Sequence, residues 1–232
     1  MIVDVFIRTY SKDLDWLKYC LRSINKYVLG HRSIIISIPQ SEKYLIDSWG
    51  LTRETVTGWN PVSKNGYIDQ QIDKLLAYKK TDADFILFVD SDVCFFRQID
   101  VCFEYFRHGK PLLLKTRYGL VGDAICWQKC TSDILGFNVE YEYMRRIPWL
   151  YSTSTLARLD EKVNCYQLAQ RERLSEFNLI GAFIDMYEPD NYHIIDTEKD
   201  SIPRECAKQL WSLSGCSEED KRQMEKYLNE AN

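Results

Sequence analysis

No apolar run approaches the ~20 residues that a membrane-spanning helix needs, so an integral membrane protein is not expected. Long basic blocks are missing too, and the formal net charge is −4. A protein whose affinity comes from neutralising many phosphates is disfavoured on both counts, although a local basic groove stays open. No internal repeat and no low-complexity linker interrupts the chain. Cysteine is not scarce, at eight residues, yet neither of its usual frameworks is signalled. Met1-Ile2-Val3-Asp4 enters a strand pattern at once, with no basic n-region or cleavage site. Cys94 precedes Phe95-Phe96 and Cys102 precedes Phe103, settings that suit buried reduced thiols in a cytoplasmic protein. Cys126 and Cys130 lack a second ligand pair at zinc-like spacing. The late run Glu218-Glu219-Asp220 is acidic, unlike the basic face of a helix that rides on anionic lipid.

What is present points to an α/β chain. Ile2 to Arg8 is nearly continuous apolar and reads as a strand. Leu14, Leu17, Leu21, Ile24 and Val28 then recur at helical spacing, with Ser11 available as a cap and Asp13 and Asp15 suited to the positive first turn. Ser33 to Ile38 is a second strand, closed by Pro39, so the opening is strand–helix–strand. A helix is expected over 66–79, with Ile68, Ile72, Leu75 and Leu76 as its buried stripe and Tyr67, Gln71, Lys74 and Tyr78 on an adjacent face. Asp84 to Val89 is apolar on both faces from Phe85 onward, as in the middle of a covered parallel sheet. Further on, Leu112–Lys115 and Trp149–Thr155 read as strands, Ser175–Tyr187 as a helix and Tyr192–Asp196 as a short strand. Two closing helices are expected, one opened by Pro203 and one capped by Ser217 with Asp220 three residues later. The 15 Tyr, 10 Phe and 6 Trp suit a ligand cleft, though most belong in a core.

Chemistry concentrates at Val89-Asp90-Ser91-Asp92-Val93, the carboxyl end of the buried strand, where open α/β sheets bind ligands. In continued strand geometry both carboxylates share a side and Ser91 faces the other. Two carboxylates held together call for a cation, and Mg²⁺ or Mn²⁺ takes such oxygens together with substrate phosphates. An isolated D-x-D is also a common pair of solvated turn acids. The apolar strand behind this one, and the bulky residues after it, favour the metal.

Phe6-Ile7-Arg8-Thr9-Tyr10-Ser11-Lys12-Asp13, the helix Gly66-Tyr67-Ile68-Asp69-Gln70-Gln71-Ile72-Asp73-Lys74-Leu75 and Phe88-Val89-Asp90-Ser91-Asp92 together resemble a GT-A-fold glycosyltransferase. The particular flavour resembles the small bacterial and phage glycosyltransferase-like proteins, in which a Gln-Gln-x-x-Lys-Leu helix precedes the D-x-D. Ser175-Glu176-Phe177-Asn178-Leu179-Ile180-Gly181 is similar to their second acidic motif, so the ordered match spans residues 3 to 185. The resemblance implies one GT-A-like domain over 1–232, with a mixed, mainly parallel sheet flanked by helices. Residues 1–115 would be its nucleotide-sugar half and 116–232 its acceptor half.

The resemblance also distributes roles. Thr9, Tyr10 and Asp13 would lie at the nucleotide, with Tyr10 stacked on a pyrimidine or simply packed in its turn. Gln71 and Lys74 would face the diphosphate, a solvated lysine being the plainer alternative, and Ser91 would join the donor site. Asp90 and Asp92 would hold Mn²⁺ or Mg²⁺, with His193 a positional candidate for a late ligand. Glu176, in a helix first turn whose dipole favours a carboxylate, would act as general base, with Asp185 second to it. Arg145-Arg146 would meet a phosphate or end a helix.

The expected activity is hexosyl transfer from a nucleoside diphosphate sugar, UDP-linked by preference, to an acceptor hydroxyl on a glycan. A modified base in DNA is a second acceptor class, for which Arg145, Arg146, Arg158, Arg171 and Arg173 could form a basic groove. Outside this class stand a nucleotidyltransferase, which lacks its glycine-rich loop here, and a catalytically silent nucleotide-sugar-binding protein.

Overall fold

The computed structural model describes residues 1–145, 148–210 and 215–229. Its centre is a five-stranded sheet built from β1 (Val3–Arg8), β2 (Ile34–Pro39), β3 (Glu54–Trp59), β4 (Phe85–Asp90) and Trp149–Ser152. Between β4 and Trp149–Ser152 the chain forms β5 (Val93–Phe95) and β6 (Lys110–Arg117), which belong to other sheets, so Trp149–Ser152 is β7. The spatial order is β7-β4-β1-β2-β3, with β7 antiparallel to β4 and every other pair parallel. The chain is therefore α/β, with a mixed, mainly parallel sheet.

Alternation along the strands assigns the two faces. Val3, Val5 and Ile7 join Leu87 and Val89 on one face, where helix α1 (Leu14–Tyr27) packs Trp16, Leu17 and Ile24. Phe6, Ile86 and Phe88 look the other way, toward α2 (Gly66–Leu75). That second face also receives Phe177, whose ring stacks on Trp149 at 3.9 Å between centroids and sits 5.9 Å from Phe88. A ring this deeply buried contributes roughly 1.5–3 kcal/mol by leaving water.

Three expectations are corrected here. The 66–79 helix ends at Leu75 and passes into a 3-10 turn, Ala77–Lys80. The Trp149–Thr155 strand stops at Ser152, because Ser152 caps α4 after it: its hydroxyl accepts from Thr155 N. Helix α3 (Cys126–Leu135) and α4 (Thr153–Val163) have no counterpart in the sequence reading. No helix starts at Pro203; the chain runs without regular structure into β9 (Ala207–Gln209), after β8 (His193–Asp196). Pairing of β9 with β5 holds it extended, a distant partner overriding local preference. Residues 211–214 lie outside the described residues.

Smaller expectations divide the same way. Ser11 caps nothing, since its hydroxyl donates to Glu42 instead. Ser217 and Asp220 do form a reciprocal cap on the last helix, Glu218–Asn229. Cys20, Cys94, Cys165 and Cys206 are buried free thiols, whereas Cys102 is half-buried and Cys126 exposed. No helix among the described residues is long and apolar enough to cross a membrane.

Helix α5 (Glu176–Tyr187) carries the tightest packing constraint. A Cβ on Gly181 would lie 2.3 Å from Tyr143 Cβ and Cγ. Gly→Ala inside a helix ordinarily stabilises it, by up to about 1 kcal/mol. Here the sign reverses: Gly181→Ala is expected to cost about 1–3 kcal/mol, the usual penalty of overpacking. A urea midpoint that is unchanged or higher would refute that contact.

Candidate functional site

Strand order locates the cleft. From β1 the chain steps outward to β2 and β3, then returns across β1 to β4, so the topology switches direction between β1 and β4. Loops from their carboxyl ends diverge there and leave a crevice. A cleft of about 1000 Å³ opens at that point, lined by Arg8, Asp13, Lys74, Asp90, Asp92 and Glu176 among others. Its walls come from the Arg8 and Asp90 strand ends, α2, the start of α5, and the segment from Pro203 to Gln209. Among the described lining residues, eight side chains are acidic and five basic.

Asp90 ends β4, and Ser91-Asp92 form a turn instead of prolonging the strand. The two carboxylates meet nonetheless. Gln209 Nε2 donates to Asp92 Oδ1 at 3.2 Å and to Asp90 Oδ2 at 3.5 Å. Ser91 points elsewhere, its hydroxyl donating to Asp13 Oδ2 at 3.1 Å.

Lys74 lines the cleft and is paired there by two carboxylates. Its ammonium is buried and bridges two acids, 2.6 Å from Asp90 Oδ1 and 2.9 Å from Glu176 Oε1, with the ring of Phe177 4.9 Å away. Burial alone would push its pKa down, but Asp90 and Glu176 together hold it above the ordinary lysine value. Gln71 completes the join between α2 and α5, accepting from Glu176 N at 3.1 Å. Lys74 and Gln71 thus tie Glu176 to the D-x-D.

Other expected residues scatter. Thr9 is buried just past β1, and its backbone N–H bonds Ser37 O. Tyr10 is 40% exposed; neither it nor Thr9 lines the cleft. Asp185 bonds Lys115 and the Tyr143 hydroxyl, outside the cleft lining. His193 corrects the metal set: its ring lies 5.7 Å from His108, and it is not a cleft residue. Position along the chain could not locate it, because β8 pairs in parallel with β6 and carries it into a different sheet. Arg145 lines the cleft, pairs with Glu142 and donates to Val121 O beyond the 3-10 turn Tyr118–Leu120. Arg146 lies outside the described residues. Arg158 is engaged by Glu188, and neither it nor Arg171 or Arg173 lines the cleft.

Two contributors went unassigned. Arg8, level with Asp90 in the β1–β4 register, reaches the cleft from a network on Asp73. That buried carboxylate takes Arg8 Nε at 3.0 Å, the Lys80 ammonium and the Ser37 hydroxyl. A charge ending an apolar strand was its only sequence signal. Gln209 had none, since its segment reads as part of a helix. No protein-family model matches the chain, and no curated protein matches it significantly in sequence.

Proposed function

We propose that the cleft is the donor site of a divalent-metal-dependent glycosyltransferase with a GT-A-like fold. It would move a sugar from a nucleoside diphosphate sugar, UDP-linked by preference, to an acceptor hydroxyl. The observation that carries this reading is the convergence of Asp90 Oδ2 and Asp92 Oδ1 on one point at the topological switch of the sheet. Their chemistry suits a hard cation such as Mn²⁺ or Mg²⁺, which accepts one or two carboxylates plus phosphate oxygens. Among the described residues no group of three or more His, Cys, Asp or Glu side chains is arranged to hold a metal. Oxygens other than further carboxylates, those of water and the donor among them, would therefore complete the shell. When bound, the cation supplies charge neutralisation for the departing diphosphate.

This chain's own residues supply the rest. Arg8, fixed by Asp73, adds positive charge at the donor end of the floor. Glu176 is the carboxylate suited to orient the acceptor hydroxyl and take its proton, while Lys74 fixes its position relative to Asp90. The hydroxyl oxygen attacks the anomeric carbon, and the bonding pair of the sugar–phosphate link leaves with the nucleoside diphosphate. An acid-rich lining repels a nucleic-acid backbone, which favours a neutral acceptor such as a glycan over a modified DNA base.

Incubation with UDP-, GDP- and CDP-sugars, with Mn²⁺ or with chelator, tests the reading. Nucleoside diphosphate release should require the metal, and Asp92→Asn should lower it at least about tenfold, since even groups one shell out from a metal cost that much. Release that survives both chelator and Asp92→Asn would sink the metal role.

A further inference from the structure

We infer that Gln209 is a third protein ligand of the cation at Asp90 and Asp92, taking the place for which His193 was expected; this rests on the donor-site reading above. The backbone fixes it there. β9 pairs antiparallel with β5, setting Gln209 opposite Val93, the residue after Asp92. Leu210 N then donates to Asp92 O at 3.0 Å. The side chain is thus delivered to the D-x-D turn by four consecutive backbone positions, and not by a chance rotamer.

Its amide occupies the point that both carboxylates address, 3.2 Å from Asp92 Oδ1 and 3.5 Å from Asp90 Oδ2. Lys74 holds the other oxygen of Asp90, Oδ1. A half-turn about the last side-chain bond exchanges the amide nitrogen for its oxygen. Glutamine carbonyls are ordinary ligands of hard cations. Without cation the N–H bridges the two acids; with cation the carbonyl faces it. Gln209 serves both states without moving the backbone.

A simple placeholder would behave oppositely. An amide that only fills the gap competes with the cation, so its removal tightens binding; removal of a ligand weakens it. Mn²⁺ binding to the full chain, read by the paramagnetic signal of free Mn²⁺, gives that sign without any turnover. Wild type should bind one Mn²⁺, and Asp92→Asn should abolish it. Gln209→Met, which keeps the length, should bind about tenfold more weakly, and Gln209→Glu at least as tightly as wild type. Thermal unfolding followed by circular dichroism checks that each variant folds; should Gln209→Met not fold, weaker binding by Gln209→Glu overturns the assignment and tighter binding carries it. Gln209→Met binding as tightly as wild type, or more so, overturns the ligand role and leaves the donor site standing. No Mn²⁺ bound by wild type overturns both.

Discussion

Lys74→Met is expected to destabilise the protein by about 3–5 kcal/mol, the usual cost of removing one partner from a buried ion pair. Methionine keeps the stem and its packing against Phe177 but withdraws the charge that Asp90 and Glu176 share. Glu176 suffers most, because its side chain is 7% exposed, whereas Asp90 at 24% can recover water. At about 3 kcal/mol the melting temperature of a chain this size falls by roughly 6–12 °C.

The pH dependence follows from the direction of the lysine shift. Burial pushes its pKa down, and the two carboxylates overcome that and hold it above 10.5. A folded value above the unfolded one means the stabilisation is complete below pH 10.5 and is lost only as pH climbs through the higher folded value. The gap between wild type and Lys74→Met should then stay flat from about pH 6 to 9 and close in more alkaline solution. Adding Glu176→Gln should recover part of the loss, since it removes the less hydrated of the stranded charges. Equal stability of Lys74→Met and wild type at neutral pH would show that the bridge carries no net energy.

The bridge depends on a contact that local sequence pattern does not carry. The periodicity of Ile68, Ile72 and Leu75 gives α2 its buried stripe, and the apolar run before Asp90 gives β4 its covered position. Both are local patterns, and both were legible. That Lys74 would be buried was not, because a lysine beside an apolar stripe usually reaches water. Its partner Glu176 lies 102 residues away, and nothing local announces the meeting. The same holds for Gln209: a three-residue strand paired across the chain leaves no period, and Pro203 imitates a helix start. His193 failed for the converse reason, a suitable residue type carried elsewhere by strand pairing. Local pattern therefore located the D-x-D and the helices beside it, while the contacts that complete the cleft depend on topology.

Asp73→Ala should be the second severe substitution, again costing about 3–5 kcal/mol. Asp73 is fully buried and answers two cations, with Arg8 and Lys80 side chains 6% and 14% exposed. The two cations respond differently to its loss. Burial already pushes Lys80 below the ordinary lysine value, with Asp73 opposing that push; without Asp73 the amine can shed its proton. Arg8 has no such escape, because a guanidinium stays charged in proteins. The penalty should therefore reside mainly in Arg8. Denaturant unfolding of Asp73→Ala, alone and combined with Arg8→Met or Lys80→Met, separates them: the Arg8 combination should recover more stability. If the Lys80 combination recovers more, Lys80 is the stranded charge and Arg8 has found water through the cleft. The distinction reaches the cleft because Arg8 stands level with Asp90 across the β1–β4 register. A cation pinned from below by a buried acid cannot swing over to Asp90, which stays paired with Lys74 through Oδ1 and with Gln209 through Oδ2.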